Sequence, residues 1–178
     1  MTVATKKNLH YYAGLISNIE REEFIAGTDH PFLVGREILA QEISNHLDLT
    51  AESGHSILSD VATGEQWNIS QWVIELKEKD GSSRPGRILV GRNQENDIVV
   101  PHSTVSGEHG YFSRDAYIVN RWFVVDAGAS NGIRVNGLKV SPHSRTPIID
   151  GDSICFGECA FHWHTPGGFY DQVRAIFD

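Results

Sequence analysis

The stretch from His109 to Gly137 decides the fold: HGYFSRD (109–115), AYIVNRWFVVD (116–126), DAGASNG (126–132) and, after Ile133-Arg134, VNG (135–137). Its texture has a period of two, and the runs are short and rich in β-branched and aromatic residues, which suit a pleated, half-buried surface. Asn136-Gly137 is the strongest hairpin signal, because both residues tolerate the positive φ of a two-residue turn. Working outward, WVIELKEK (72–79), RILVGR (87–92), SICFG (153–157) and CAFHWH (159–164) repeat the pattern. Asp-Gly, Arg-Pro-Gly and Asp-Gly-Asp turns separate them. Many short strands at this spacing predict a mainly β protein, a sandwich of two antiparallel sheets.

The texture changes near residue 67. Upstream, Leu9 to Ile25 places Leu15, Ile16, Ile19 and Phe24 in a helical pattern, and Ile38, Leu39, Ile43 and Leu47 predict an amphipathic helix over 36–48. Between them His30-Pro31 favours a break, because the residue before proline is pushed out of the α region. Residues 50–66 read as irregular chain and turns. The expected organisation is a partly helical extension over 1–66, a sandwich over 67–166 and a C-terminal segment over 167–178. A short helix through Phe169, Val173, Ile176 and Phe177 is expected in that last segment.

Composition narrows the function classes. The 178 residues are 40% hydrophobic and 21% charged, as in an ordinary globular protein with one good core. Net charge is −8. Residues 1–66 contain four Lys/Arg against ten Asp/Glu, so the acidic excess lies in the extension. No basic cluster exists for nucleic acid or an anionic membrane, which rely on many Lys/Arg contacts. No run approaches the roughly 20 apolar residues that cross a bilayer, and no secretory signal opens the chain, so a cytoplasmic location is expected. Cys155 and Cys159, in one apolar run, do not suggest a disulfide framework.

Four short motifs follow one another in the stretch that carries the strands. They are LVGRNQENDIVV (89–100), VSGEHGYF (105–112), VVDAGASNGIRVNG (124–137) and IDGDSICFG (149–157). Together, in this order and spacing, they resemble a forkhead-associated (FHA) domain over about residues 70–165. The resemblance implies a β-sandwich that binds phosphothreonine peptides through loops at one end, in Ser/Thr-kinase signalling or regulated assembly; FHA domains are an established example of phosphate reading.

By this resemblance Arg92, Ser106, Gly107, Ser130 and Asn131 are the phosphopeptide-binding positions. Arg92 offers a planar guanidinium for paired, charge-assisted hydrogen bonds to phosphate oxygens, although pairing with Glu95 or Asp97 is the plain alternative. Ser106 and Ser130 offer hydroxyls, and the Asn131 amide both donates and accepts. Gly107 departs from relatives that place a basic or amide side chain there, which implies weaker phosphate binding or a backbone N–H in its place. Ile133 departs from the usual Thr, and altered packing is expected. His109 is expected to pin the recognition loop, and Gly91, Gly132, Asn136 and Gly137 to serve the architecture.

Other chemistries fit less well. Ser106, His109 and Asp126 are the residue types of a hydrolytic triad, but no G-x-S-x-G elbow is present. Cys155, Cys159, His162 and His164 match no familiar closed zinc spacing, and at least one of the two histidines is expected on a solvated face. No G-x-x-x-x-G-K-[ST] loop suggests nucleotide hydrolysis. The expected function is therefore a non-catalytic module for a Thr-phosphorylated partner, with no cofactor, metal, nucleic acid or membrane. The alternative is a phospho-independent scaffold built on the same sandwich. A third possibility, with Thr2, Thr5, Thr28 or Thr50 as an internal ligand, would require a kinase acting on one of them.

Overall fold

The computed structural model describes residues 6–36, 71–82 and 84–177. Two sheets face each other. One has seven strands, named here in chain order: β1 (Lys6–Asn8), β2 (Phe32–Arg36), β3 (Gln71–Glu75), β8 (Ile133–Val135), β9 (Leu138–Lys139), β11 (Ser153–Phe156) and β12 (Cys159–His164). They run in the order β1-β3-β2-β12-β11-β8-β9. The other sheet contains β4 (Arg87–Gly91), β5 (Ile98–Val99), β6 (Gly110–Arg114), β7 (Trp122–Asp126) and β10 (Thr146–Ile148), in the order β10-β7-β6-β4-β5. All neighbouring pairs are antiparallel except β4 with β5.

Alternation explains the core. Ile88, Val90, Phe112, Trp122 and Val124 point inward from the smaller sheet and meet Leu33, Ile74, Ile154, Phe156, Phe161 and Trp163 from the larger. Trp122 and Trp163 approach with ring centroids 6.4 Å apart. Ile133 is fully buried here, so its place in the core accounts for an apolar residue after Asn131-Gly132.

The segment expected as a separate extension contributes to the sandwich. β2 lies in the middle of the larger sheet, paired with β3 on one side and β12 on the other. The change of texture at residue 67 is therefore not a structural border. Three helices cover the outer face of this sheet: α1 (Leu9–Ile16), α2 (Arg21–Gly27) and α3 (Pro166–Phe177). Asn8 caps α1 by accepting from the Tyr11 N–H at 2.9 Å. Thr165 caps α3, its Oγ1 accepting from the Gly168 N–H at 3.1 Å, and Pro166 fills the first helical position without wasting a donor. Leu9, Tyr12, Phe24, Phe32, Phe169 and Val173 form a second core between helices and sheet, in which Phe32 stacks on Phe169 at 4.1 Å. The expected helix over 36–48 and the irregular stretch over 50–66 lie outside the described residues, except Arg36, which ends β2.

Two local readings need correction. Residues 116–121 do not continue a strand: Asp115 Oδ1 accepts from the N–H groups of Tyr117 (2.9 Å) and Ile118 (3.1 Å), and Asn120 has φ 61°. The carboxylate captures the backbone in a turn and leaves Tyr117 and Val119 exposed. The second concerns His162 and His164, which do share a face, but not a solvated one. Opposite Val34 and Phe32 on the helix-covered side, His164 is buried and His162 half-buried. Burial lowers the pKa of His162.

Candidate binding site at one end of the sandwich

Three connections meet at one end of the sandwich: 92–97 after β4, 100–109 before β6, and 127–132 between β7 and β8. Each is built by side chains that occupy backbone donors or acceptors. Asn96 and Asp97 are both 2% exposed. Asp97 accepts from the N–H groups of Lys79 and Leu89, each at 2.7 Å, which secures the first loop to β4. Asn96 Nδ2 donates to the carbonyls of Asn93 (2.8 Å) and Gly107 (2.6 Å), tying the first loop to the second. Gly91 is required at this crossing, because a Cβ there would collide with the Gly107 carbonyl.

Asp126 organises the third loop. It is fully buried, and its Oδ1 accepts from Gly128 and Ala129 (both 2.8 Å) while Oδ2 accepts from Ile133 (3.0 Å). This carboxylate has no role in a triad: its oxygens are committed to the turn that carries Ser130 and Asn131. Asp126→Asn keeps one acceptor but turns an N–H toward Ile133, and should destabilise the protein by about 1–3 kcal/mol in denaturant unfolding.

His109 joins two loops. The Ser106 N–H donates to its Nδ1 (3.0 Å), so Nε2 carries the proton and donates to the Gly132 carbonyl (2.9 Å). The ring is fully buried against Phe156, and burial lowers its pKa despite the Gly132 carbonyl and Asp126, which act in the opposite direction. The native state thus binds this proton less readily than the unfolded chain. Its contribution to stability is present above about pH 6.5 and is lost as pH falls through the lower folded value. Nitrogen-detected NMR should find the Nε2–H tautomer and a His109 midpoint below the reference value; a midpoint at or above about 6.5 would contradict this arrangement.

The side chains left at the surface are those the motifs singled out. The Arg92 N–H donates to the Ser106 carbonyl (2.9 Å) and its Nε to the Val105 carbonyl (3.2 Å). Arg92 is exposed and its two terminal nitrogens make no hydrogen bond among the described residues. Neither Glu95 nor Asp97 pairs with it there, and Asp97 is occupied by backbone. Ser106 Oγ accepts from the Ser130 N–H at 3.2 Å, which leaves its own proton to donate outward. Ser130 is exposed beside it. Asn131 Nδ2 donates to the Thr104 carbonyl (2.8 Å), so one of its N–H groups holds the loops together while Oδ1 remains to accept. Asn136 (φ 50°) and Gly137 (φ 79°) lie away from this cluster, in the turn joining β8 to β9.

Sequence reasoning missed the loop-building roles of Asn96, Asp97, Thr104 and Asp126. An Asx residue at the end of a predicted strand and before a Gly-rich turn was the available signal for Asp126. Nothing local marked Thr104, which accepts at Oγ1 from the Glu158 N–H (3.1 Å), across 54 residues.

A rigid two-sheet frame that presents polar side chains on converging loops is a usual place for binding or catalytic groups. Residues 88–157 match the model of the FHA domain, so this part of the chain is an FHA domain. Solved structures similar to the chain include EmbR from Mycobacterium tuberculosis in complex with a low-affinity phosphopeptide (25% identity, TM-score 0.41), where the match covers 45% of this chain and only 20% of that one. The FHA domain of CT664 from Chlamydia trachomatis is 18% identical, with 75% and 96% covered and a TM-score of 0.47. The yeast Dun1 FHA domain in complex with a doubly phosphorylated peptide derived from Rad53 is 17% identical, with 77% and 74% covered and a TM-score of 0.47. No curated protein matches the chain. No helix among the described residues is long and apolar enough to cross a membrane.

Proposed function

We propose that the chain binds phosphothreonine-containing protein segments through Arg92, Ser106, Ser130 and Asn131, and takes part in this way in Ser/Thr-kinase signalling or regulated assembly. The observation that carries the reading is the state of Arg92. Its Nε is anchored on the Val105 carbonyl beside Ser106, while the rest of its fork lies exposed without a carboxylate partner among the described residues. A phosphate dianion would supply that partner, with the Ser106 and Ser130 hydroxyls completing its donors. Asn131 Oδ1 would accept from the peptide main chain. The FHA domain over 88–157 supports the same reading.

Binding of degenerate peptide libraries, each prepared with phosphothreonine and with threonine, tests it. Retention of the phosphorylated set alone is expected. Equal retention of both sets would favour a phospho-independent scaffold instead.

A further inference from the structure

We infer that Asn93 is an additional phosphopeptide contact, its amide standing where this chain lacks a side chain at position 107; the inference rests on the site proposed above. A Cβ built on Gly107 would lie 2.9 Å from Asn93 Nδ2 and 3.0 Å from its Oδ1. The amide therefore occupies the space that a side chain following Ser106 would fill. Its placement is fixed through the backbone: the Asn93 N–H donates to the Gly107 carbonyl (3.1 Å), and the Asn93 carbonyl accepts from Asn96 Nδ2 (2.8 Å). The side chain itself is exposed and makes no hydrogen bond among the described residues. The side-chain N–H groups of Asn96 and Asn131 at these crossings donate to loop carbonyls.

The chemistry of the surroundings suits a neutral donor. Asn93 borders a hollow of about 210 Å³ together with Arg84, Glu95 and Glu108. Glu108 is paired with Arg84 at 2.9 Å, whereas Glu95 is not paired among the described residues. An amide on the residue after Arg92, lying against the residue after Ser106, gives two N–H donors and adds no negative charge to that of these carboxylates. A side chain at position 107 would have to displace the Asn93 amide from this place.

Calorimetric titration of the full chain with the tightest phosphothreonine peptide from the library tests this. Asn93→Ala should weaken binding about three- to tenfold, the range of one neutral hydrogen bond, without moving the unfolding midpoint. Asn93→Asp should weaken it further by repulsion. Asn93→Ala combined with Gly107→Asn should recover part of the loss, because the amide returns from the other side. In NMR spectra the Asn93 side-chain N–H pair should shift with phosphorylated but not with unphosphorylated peptide. Wild-type affinity in Asn93→Ala, with an unmoved side-chain signal, would overturn the inference while leaving the Arg92 site intact. A wild-type protein indifferent to phosphorylation would remove both.

Discussion

Arg92→Ala is expected to weaken binding of a phosphothreonine peptide by at least about a hundredfold while leaving the fold unchanged. The guanidinium can direct its terminal nitrogens at the phosphate, and a charge-assisted hydrogen bond contributes about 1.5–3 kcal/mol. Two such bonds lost amount to about 3 kcal/mol or more, and each 1.4 kcal/mol is a factor of ten. Stability should fall only modestly, by about 1 kcal/mol for the lost Nε bond to the Val105 carbonyl, because the exposed fork forms no ion pair among the described residues and the Arg92 N–H bond to Ser106 belongs to the backbone. Arg92→Lys keeps the charge without the planar fork, so calorimetry should place it between wild type and alanine. Near-wild-type affinity for Arg92→Ala would exclude the site.

Phe169→Ala should destabilise the protein by about 3–5 kcal/mol, the range for removing a buried aromatic ring from a packed core. Phe169 is fully buried in α3, stacked on Phe32 of the central strand β2 and edge-on to Tyr12 of α1 (5.1 Å). The ring thus links two helices to the sheet. Because Phe32 and Leu33 point to opposite faces of β2, the helical core and the inter-sheet core share one strand. Tryptophan fluorescence, to which the buried Trp122 and Trp163 contribute among the four tryptophans of the chain, should therefore move to lower denaturant together with far-ultraviolet circular dichroism. Helix loss before any change at the tryptophans would show the helices to be an independent addition.

Much of the sandwich was legible because its strands are short runs rich in β-branched and aromatic residues bounded by turn signals. Residues 110–114 carry the right alternation, residues 122–126 are a β-branched and aromatic run buried throughout, and Asn136-Gly137 marks its own turn. β2 was not legible. Phe32-Leu33-Val34-Gly35 is short, follows a proline, and joins partners as distant as Trp163 and His162. Nothing nearby in sequence announces that pairing. The burial of His164 was hidden for the same reason, since the helices that cover it come from both ends of the described chain.

The candidate site divides in the same way. Arg92, Ser106, Ser130 and Asn131 stood out as a spaced set, and their contacts gather them at one end of the sandwich. What holds them was less visible. The two hydrogen bonds of Asn96 to Asn93 and Gly107 and the crossing at Gly91 depend on how two loops approach, which no single run of residues encodes, whereas the three bonds of Asp126 are local to its own turn.

The central claim is that phosphate is held where Arg92, Ser106 and Ser130 meet. Mapping amide and guanidinium NMR shifts during titration with a phosphothreonine peptide tests it most directly. The account predicts that the Arg92 Nε–H signal and the amides of Ser106, Gly107, Ser130 and Asn131 move together and saturate at one equivalent. Shifts confined to the helical layer or to the outer face of the five-stranded sheet, with these five unmoved, would contradict it.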